Sequence, residues 1–537
     1  MKNLLLTLGH NSSAILIEDG VIQWGYETER ISGVKSDSRF PMSFIEKLSN
    51  TDLRNIDIAY VTHWSPDGIL NSLSHKHWDP TYFDGTPIRT LSVDRTHHDT
   101  HMAAAITYAG PNFPKHKAYG LVIDGFGTLG EHFSIYDLSG DKPILKERVH
   151  GYGTSLGLWY QYATAFMGLK MHEDEYKLLG YEAHLKDERL ISRLRADATV
   201  YASMWLDTMH DSIYGSKYDP MYDVAALANL KSKIFEHLSS VCKQYQIDDS
   251  SSFEGRCLLA FYVQAVLEIV VVTKVNAIGA RNLIVSGGCF YNVKLNKVLL
   301  DRIEGHLCVY PLAGDQGNAL GLYAMDHPEF TLPGHFNWGV RVLKDIGYVK
   351  GLVVADEKSA YDIIRSQLKT VGCVNLVRGN MEFGPRALCN TSTLAMPNKD
   401  VVGKINHANN RNTVMPMAPV MTMGMYNKLF DDTDKVWRSY AHMICAMEYS
   451  EHPMEDQLGI AHEYQYPYHH HTGRPQVIGA NDPFMIQLLN WIGHPLINTS
   501  FNFHGQPIAL GMEQIVKNHV LQHQRDPSII TVVIQNV

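Results

Sequence analysis

Between Asp94 and Ala105 the chain reads DRTHHDTHMAAA, so three histidines, His97, His98 and His101, fall within five positions. On a helix, side chains four apart share a face, so His97 and His101 can grip one ion while His98 points about a quarter turn away. Ala105 continues that face and leaves room beside it. An isolated H-x-x-x-H is more often a solvated helix end, so further ligands decide the matter. Two aspartates offer themselves in glycine turns after apolar strands, Asp124 in VIDGFG and Asp315 in PLAGDQGNALG. At such a place the backbone can approach a phosphate or metal closely, although Asp-Gly by itself is most often only a turn. Two imidazoles with one or two carboxylates make an N2O-type site with open positions, which suits Fe(II), Mn(II) or Zn(II) better than Mg2+.

Two further turns follow apolar strands and open helices: SGGCFYN, with Gly287, Gly288 and Asn292, and AGDQGNALG, with Gly314. Backbone amides at a helix N-terminus bind anions, and glycine lets a phosphate come close. Neither turn matches the dinucleotide or P-loop pattern, and a plain tight turn between strand and helix explains either one equally well.

The elements that must position these groups are legible in the pattern. Residues 1–30 read NLLLTLG, HNSSAILIEDG and VIQWGYETER, three strands joined by a small polar turn and an Asp-Gly turn. The first turn is expected to expose His10, Asn11, Ser12 and Ser13. Ala118 to Asp137 repeats the scheme of strand, glycine-rich polar turn and strand, which suggests a duplicated nucleotide-binding architecture. Helical periodicity covers roughly 96–109, 156–167 and 255–278, the last nearly all apolar and read as buried. Strands interleaved with helices argue for an α/β protein. The Pro-, Gly- and aromatic-rich stretch 327–340 reads as a connection, so two units are expected, 1–349 and 350–537.

Composition narrows the function classes. The chain has 537 residues, 45% hydrophobic and 19% charged, with a formal net charge of -9. A length of this order calls for two large units. Lys and Arg are outnumbered and form no long basic run, which argues against a polymeric nucleic-acid partner but not against a single nucleotide. The seven cysteines, 242, 257, 289, 308, 373, 389 and 445, are scattered and form no C-x-x-C pair. That usage suits free thiols in a reducing compartment. No signal-like segment and no stretch approaching about 18 apolar residues is read, so the expectation is a cytoplasmic protein without a membrane span.

In order along the chain stand GHNSSAILIEDG, YETER with Arg30, HHDTHMAAA, IDGFGT, SLGLWY with GLKMHEDEYKLLGYEA, SGGCFYNVKLN, PLAGDQGNALG, MEFGPRAL and NTSFNFHGQPI. By these motifs the chain resembles the O-carbamoyltransferases, a family that includes tobramycin and cephalosporin carbamoyltransferases and the nodulation protein NodU. The resemblance spans nearly the whole chain. It implies a TsaD-like N-terminal domain of the actin and sugar-kinase fold, a duplicated RNase H-like architecture, followed by a YrdC-like α/β domain. It also implies that the YrdC-like domain makes carbamoyl adenylate from ATP, taken with Mg2+, and carbamoyl phosphate. The TsaD-like domain would then pass the carbamoyl group to an acceptor hydroxyl with the help of Fe(II).

Carried over residue by residue, the resemblance makes His97, His101 and Asp315 metal ligands and Asp124 a further ligand or a group behind them. His10 becomes a general base or orienter for the acceptor, since a neutral imidazole takes a proton near neutral pH. Lys177 would face a nucleotide phosphate, and the Gly287–Gly288 turn with Asn292 would lie by adenine or ribose. In the C-terminal domain the implied residues are Arg386, Arg411, Arg474, Ser500 and Asn502. Guanidinium forks suit phosphate and carbamoyl oxygens.

The chain also departs from the family pattern. In NNRNTVMPMAP Arg411 stays, but Asn409 and Met415 stand where relatives carry Lys and Arg, and Cys389, Asn390, Thr391 and Ser392 follow FGPRAL where relatives read G-N-R-S. Lys404, His407 or the histidines at 469–471 are the replacements to consider; without one, carbamoyl phosphate is handled poorly. The acceptor is expected to be a small hydroxyl compound: the hydroxymethyl of a 5-hydroxymethylcytosine nucleotide, an antibiotic sugar or a Nod-factor saccharide. Rival readings are a tRNA threonylcarbamoyl-type modifier and a nucleotide-binding module without chemistry. A homodimer completes the expected partners.

Overall fold

The computed structural model describes residues 1–46, 55–63, 73–209, 224–339, 347–411, 417–463 and 471–535. The first sheet is built from β1 (Lys2–Thr7), β2 (Ser13–Glu18), β3 (Val21–Glu27), β4 (Ile58–Thr62) and β5 (Ile88–Thr90), in the order β3-β2-β1-β4-β5. The first three strands run antiparallel, and β4 and β5 run parallel to β1. The second sheet uses β6 (Ala118–Ile123), β7 (Glu131–Asp137), β8 (Ile144–His150), β9 (Asn282–Ser286) and β10 (Leu307–Val309), in the order β10-β9-β6-β7-β8. Its pairings follow the same rule: β6-β7-β8 antiparallel, β9 and β10 parallel to β6. The two sheets therefore repeat one topology, the duplicated RNase H-like plan of the actin and sugar-kinase fold.

Continuous apolar runs such as LLL in β1 and LVI in β6 are buried throughout, as strands covered on both faces must be. Between the sheets lies a core in which two helices meet, His97–Ala109 and Asn318–Asp326, through Met102, Ala105, Tyr108, Leu320 and Tyr323. Gly321 makes their close approach possible, because a Cβ there would overlap the Thr100 carbonyl.

The C-terminal residues build a mixed seven-stranded sheet from β11 (Leu352–Ala355), β12 (Cys373–Val377), β13 (Thr391–Ala395), β14 (Ala418–Thr422), β18 (Gln476–Ile478), β19 (Leu496–Ser500) and β20 (Thr531–Ile534). A small sheet of β15 (Met447–Glu448), β16 (His462–Glu463) and β17 (His471–Gly473) is inserted between β14 and β18. Beyond β14, residues 423–449 leave the large sheet and, with Met421 of β14, join the core of the second one through Tyr426, Phe430, Val436 and Tyr449. There Leu307 donates to the Lys435 carbonyl and Trp437 to the Leu307 carbonyl, each at 2.8 Å, so the outer edge of β10 is covered.

The helix Phe253–Ile278 is buried in that same core, as its apolar run predicts. By length and composition it is apolar enough to cross a membrane, but 78% of its most apolar 18-residue window is buried inside the structure. All seven cysteines are free thiols.

Candidate active site

The helix His97–Ala109 starts with a capping box: the Asp99 carboxylate accepts from the Thr96 amide at 2.9 Å and the Thr96 hydroxyl accepts from the Asp99 amide. The cap fixes the first turn and sets the His97 and His101 rings 4.8 Å apart, centroid to centroid. Asp124 is the first residue beyond β6, and Asp315 opens the turn after β10. His97 Nε2 lies 3.2 Å from His101 Nε2, 3.5 Å from Asp124 Oδ2 and 3.2 Å from Asp315 Oδ1. His101 Nε2 lies 3.3 Å from Asp124 Oδ2 and 3.4 Å from Asp315 Oδ1. The four residues that the helix spacing and the glycine turns single out thus converge on one point. Two imidazole nitrogens and two carboxylate oxygens at these separations fit one ion at bonds of about 2.0–2.2 Å, and the donor set suits Fe(II), Mn(II) or Zn(II) better than Mg2+.

Electrostatics agree with that fit. Burial disfavours charge on His97, but Asp315 and Asp124 outweigh it and hold the ring up at about 10. His101 is likewise raised against its burial by hydrogen bonds to Asp124 and Asp315. Both carboxyls are pulled down against burial, Asp315 far below its usual range. The carboxylates thus demand about two positive charges, which two imidazolium protons or one divalent cation on neutral imidazoles would equally satisfy.

Other groups crowd the cluster. Ser286, the last residue of β9, sets its Oγ 3.3 Å from His101 Nδ1. The Asn318 carboxamide reaches both imidazoles. His63, just past β4, is driven down to about 4 by burial first and by His97 next. His10 sits at the mouth with 55% of its side chain exposed, its Nε2 4.0 Å from Asp315 Oδ2 and its ring 6.0 Å from that of His172. The rest of its turn is not open: the Ser12 hydroxyl donates to the Arg39 carbonyl at 2.8 Å and that of Ser13 to the Gln316 carbonyl at 3.1 Å. That corrects the expectation of exposed serines.

Behind the helix His98 turns away. Its amide donates to Glu131 at 2.8 Å, its Nδ1 lies 2.8 Å from Ser134 Oγ, and burial keeps the ring neutral. Arg148 closes this side, donating to Asp99 at 2.6 Å and pairing with Glu131 at 3.1 Å.

Gly287 and Gly288 run past Asp124; a Cβ on Gly288 would lie 3.0 Å from its Oδ1. Gly314 lies against Tyr291 and Gln316. The Asn292 side chain caps the helix Val293–Arg302, accepting from the Leu295 amide at 2.9 Å, and donates to Gln264 at 2.7 Å, so it faces inward. Lys177 pairs with Asp174 at 2.7 Å.

In the third sheet Arg411 is brought to Ser500 and Asn502: its Nη2 donates to Ser500 Oγ at 3.0 Å and to Asn502 Oδ1 at 2.6 Å, and its Nη1 donates to Thr499 at 2.8 Å. Arg386 lies half-buried beside Tyr291, and Arg474 half-buried beside Arg386. Tyr291 in turn accepts from Gln316, the neighbour of Asp315. Burial lowers all three guanidinium groups, and among the described residues none pairs with a carboxylate. On the other side Tyr176 faces the charge of Arg411, and His504 feels Lys177 and Arg411. The MEFGPRAL loop is fastened to the first sheet by Arg30, which donates to the Glu382 carbonyl at 2.7 Å and pairs with Glu27 at 2.6 Å.

Asn409 is buried and accepts from Gln522 at 2.9 Å. Lys404 reaches the Val371 carbonyl and Asp526, away from Arg411, and His407 is exposed. Met415, His469 and His470 lie outside the described residues. His63, Ser286, Asn318 and Arg148 are the neighbours that the sequence does not single out; only Asn318 carries a hint, three residues after Asp315 in the same glycine turn.

Residues 86–324 match the family described as Carbamoyltransferase N-terminus, and residues 366–534 that described as Carbamoyltransferase C-terminus. The chain belongs to the carbamoyltransferase family. This carbamoyltransferase is 25% identical over 545 residues to an uncharacterized protein of Methanocaldococcus jannaschii, covering 95% of each chain. It is 22% identical to the nodulation protein NolNO of Sinorhizobium fredii, over 80% of this chain and 65% of that one. It is 27% identical to the 3'-hydroxymethylcephem-O-carbamoyltransferase of Amycolatopsis lactamdurans, over 44% and 45% respectively. Among solved structures it is similar to full-length HypF in a phosphate- and nucleotide-bound form, at 14% identity and a TM-score of 0.30, over 61% of this chain and 55% of that one.

Proposed function

We propose that this carbamoyltransferase works in two stages, with residues 350–537 forming carbamoyl adenylate and residues 1–349 transferring its carbamoyl group to a hydroxyl. The observation that carries the reading is the convergence of His97, His101, Asp124 and Asp315 at one end of a line of groups, Gln316, Tyr291 and Arg386, that leads to the carboxylate-free arginines. In the first stage water takes the phosphate from carbamoyl phosphate to leave carbamate. A carbamate oxygen then attacks the α-phosphorus of Mg2+-bound ATP and pyrophosphate leaves. Arg386, Arg411 and Arg474 hold phosphate and carbamoyl oxygens, and Ser500 and Asn502 aim Arg411.

In the second stage the acceptor oxygen attacks the carbamoyl carbon, AMP leaves, and the hydroxyl proton passes to His10, which is open to solvent beside Asp315. A divalent transition metal such as Fe(II), bound by His97, His101, Asp124 and Asp315, would supply the positive charge that stabilises the departing AMP phosphate. The Gly287–Gly288 and Gly314 turns would receive the adenylate beside that charge, and Lys177 a phosphate at the opposite wall. A mixed anhydride is destroyed by water, so joining the two sites inside one molecule protects it. The acceptor we favour is a small hydroxyl compound, with the hydroxymethyl of a 5-hydroxymethylcytosine nucleotide as the first to try. Mass spectrometry of candidate acceptors with ATP and carbamoyl phosphate should show the gain of one carbamoyl group, lost in His101→Ala. Transfer retained in that variant after treatment with a chelator would refute the metal's role.

A further inference from the structure

We propose that Asn318 is a fifth protein ligand, turning its carboxamide oxygen onto the ion held by His97, His101, Asp124 and Asp315; this rests on the metal reading above. Asn318 is 1% exposed and opens the helix that Gly321 locks against the ligand-bearing helix. The outer atom of its amide, placed as Nδ2, lies 3.2 Å from His101 Nε2, 3.3 Å from His97 Nε2 and 3.5 Å from Asp315 Oδ1. The four donors keep these same separations, 3.2 to 3.5 Å, in each pairing that includes an imidazole. One atom of Asn318 therefore already stands where a neighbouring ligand atom belongs.

Nitrogen and oxygen of a carboxamide change places by a half-turn of the last torsion. With a cation bound, the imidazole lone pairs are used, and an NH2 group would point its hydrogens at like charge. The half-turn replaces that repulsion with a neutral oxygen donor of the kind divalent cations accept. The donor set becomes two nitrogens and three oxygens, which leaves an octahedral ion one position for an oxygen of the substrate. It also favours ions that take six ligands over tetrahedral Zn(II).

The test titrates Co(II) into metal-depleted, full-length protein and follows both affinity and the visible absorption of the ion. Asn318→Ala should weaken Co(II) binding about 10–100-fold. It should weaken Zn(II) binding less, and its Co(II) spectrum should intensify as the coordination number falls. Asn318→Asp, which keeps an oxygen in place, should bind Co(II) at least as tightly as the parent. Unchanged affinity and spectrum in Asn318→Ala would overturn the assignment. So would a loss in Asn318→Asp as large as in Asn318→Ala, since that identifies Asn318 as a donor to Asp315 instead. If Asn318→Ala fails to fold by circular dichroism, the Asn318→Asp result decides alone. Failure of the underlying reading looks different: the parent protein then binds no Co(II), or His101→Ala binds it equally well.

Discussion

His97 and His101 reach the cluster from one helix, whereas Asp124 follows β6 directly and Asp315 opens the turn that leads into the Asn318–Asp326 helix. Removing one of these carboxylates therefore leaves the His97–Ala109 helix intact but takes away the charge that holds the imidazoles. Asp315→Ala should lose metal affinity and carbamoyl transfer together while its melting temperature changes little, which metal titration beside calorimetry would show. Arg411→Ala should act on the other stage, lowering carbamoyl-phosphate-dependent pyrophosphate release by about 10²–10³-fold with metal binding unchanged. The four residues of the cluster were legible because each announces itself, the histidines by spacing and the aspartates by glycine turns after apolar runs. Asn292 was not, because only contact with Gln264, 28 residues earlier, shows that its amide faces inward. His63 carries no spacing signal at all; it joins the cluster because β4 pairs with β1 and brings the strand end there.

Two pairs of elements must approach unusually closely to assemble the site. The His97–Ala109 helix meets the Asn318–Asp326 helix across Gly321, and the helix Leu156–Phe166 meets the end of β6 at Gly157, whose Cβ would lie 2.6 Å from the Gly125 amide nitrogen. Gly321→Ala should spread the two helices, destabilise the fold and weaken metal binding in parallel, measured by denaturant unfolding and Co(II) titration. The buried charges behind the helix set its rotation: Arg148 joins Asp99, which caps it, to Glu131, which holds the His98 amide. Arg148→Met leaves the buried Glu131 and the partly buried Asp99 without their cation and should cost about 3 kcal/mol of stability, read from a shift in the denaturation midpoint. Strand and helix positions followed from apolar periodicity. This network did not, since its members come from distant segments and each alone is an ordinary polar residue.

The whole molecule is more tightly joined than two units on a linker would be. Residues 421–449 complete the core beside the second sheet and cover β10, while Arg30 and Glu27 grip the loop that carries Arg386. A chain ending at residue 349 would expose that core and an unpaired strand edge, so it should aggregate. A monodisperse, folded fragment in size-exclusion chromatography and circular dichroism would show instead that the units stand alone. The duplicated topology was legible in the repeated strand-turn-strand pattern, but the crossing of residues 421–449 to the second sheet was not, because nothing in them distinguishes packing on their own sheet from packing on another. In the proposed two-stage reading, joining the units in this way would keep the adenylate between the arginines and the histidine cluster. The most direct measurement of that two-stage account is pyrophosphate release from Mg2+-bound ATP on addition of carbamoyl phosphate, in the parent protein and in His101→Ala, each before and after its transition metal is stripped and with Mg2+ resupplied. The account predicts carbamoyl-phosphate-dependent pyrophosphate in both proteins, with carbamoylated acceptor only in the parent. No pyrophosphate from either protein, or release that needs His101, would contradict it.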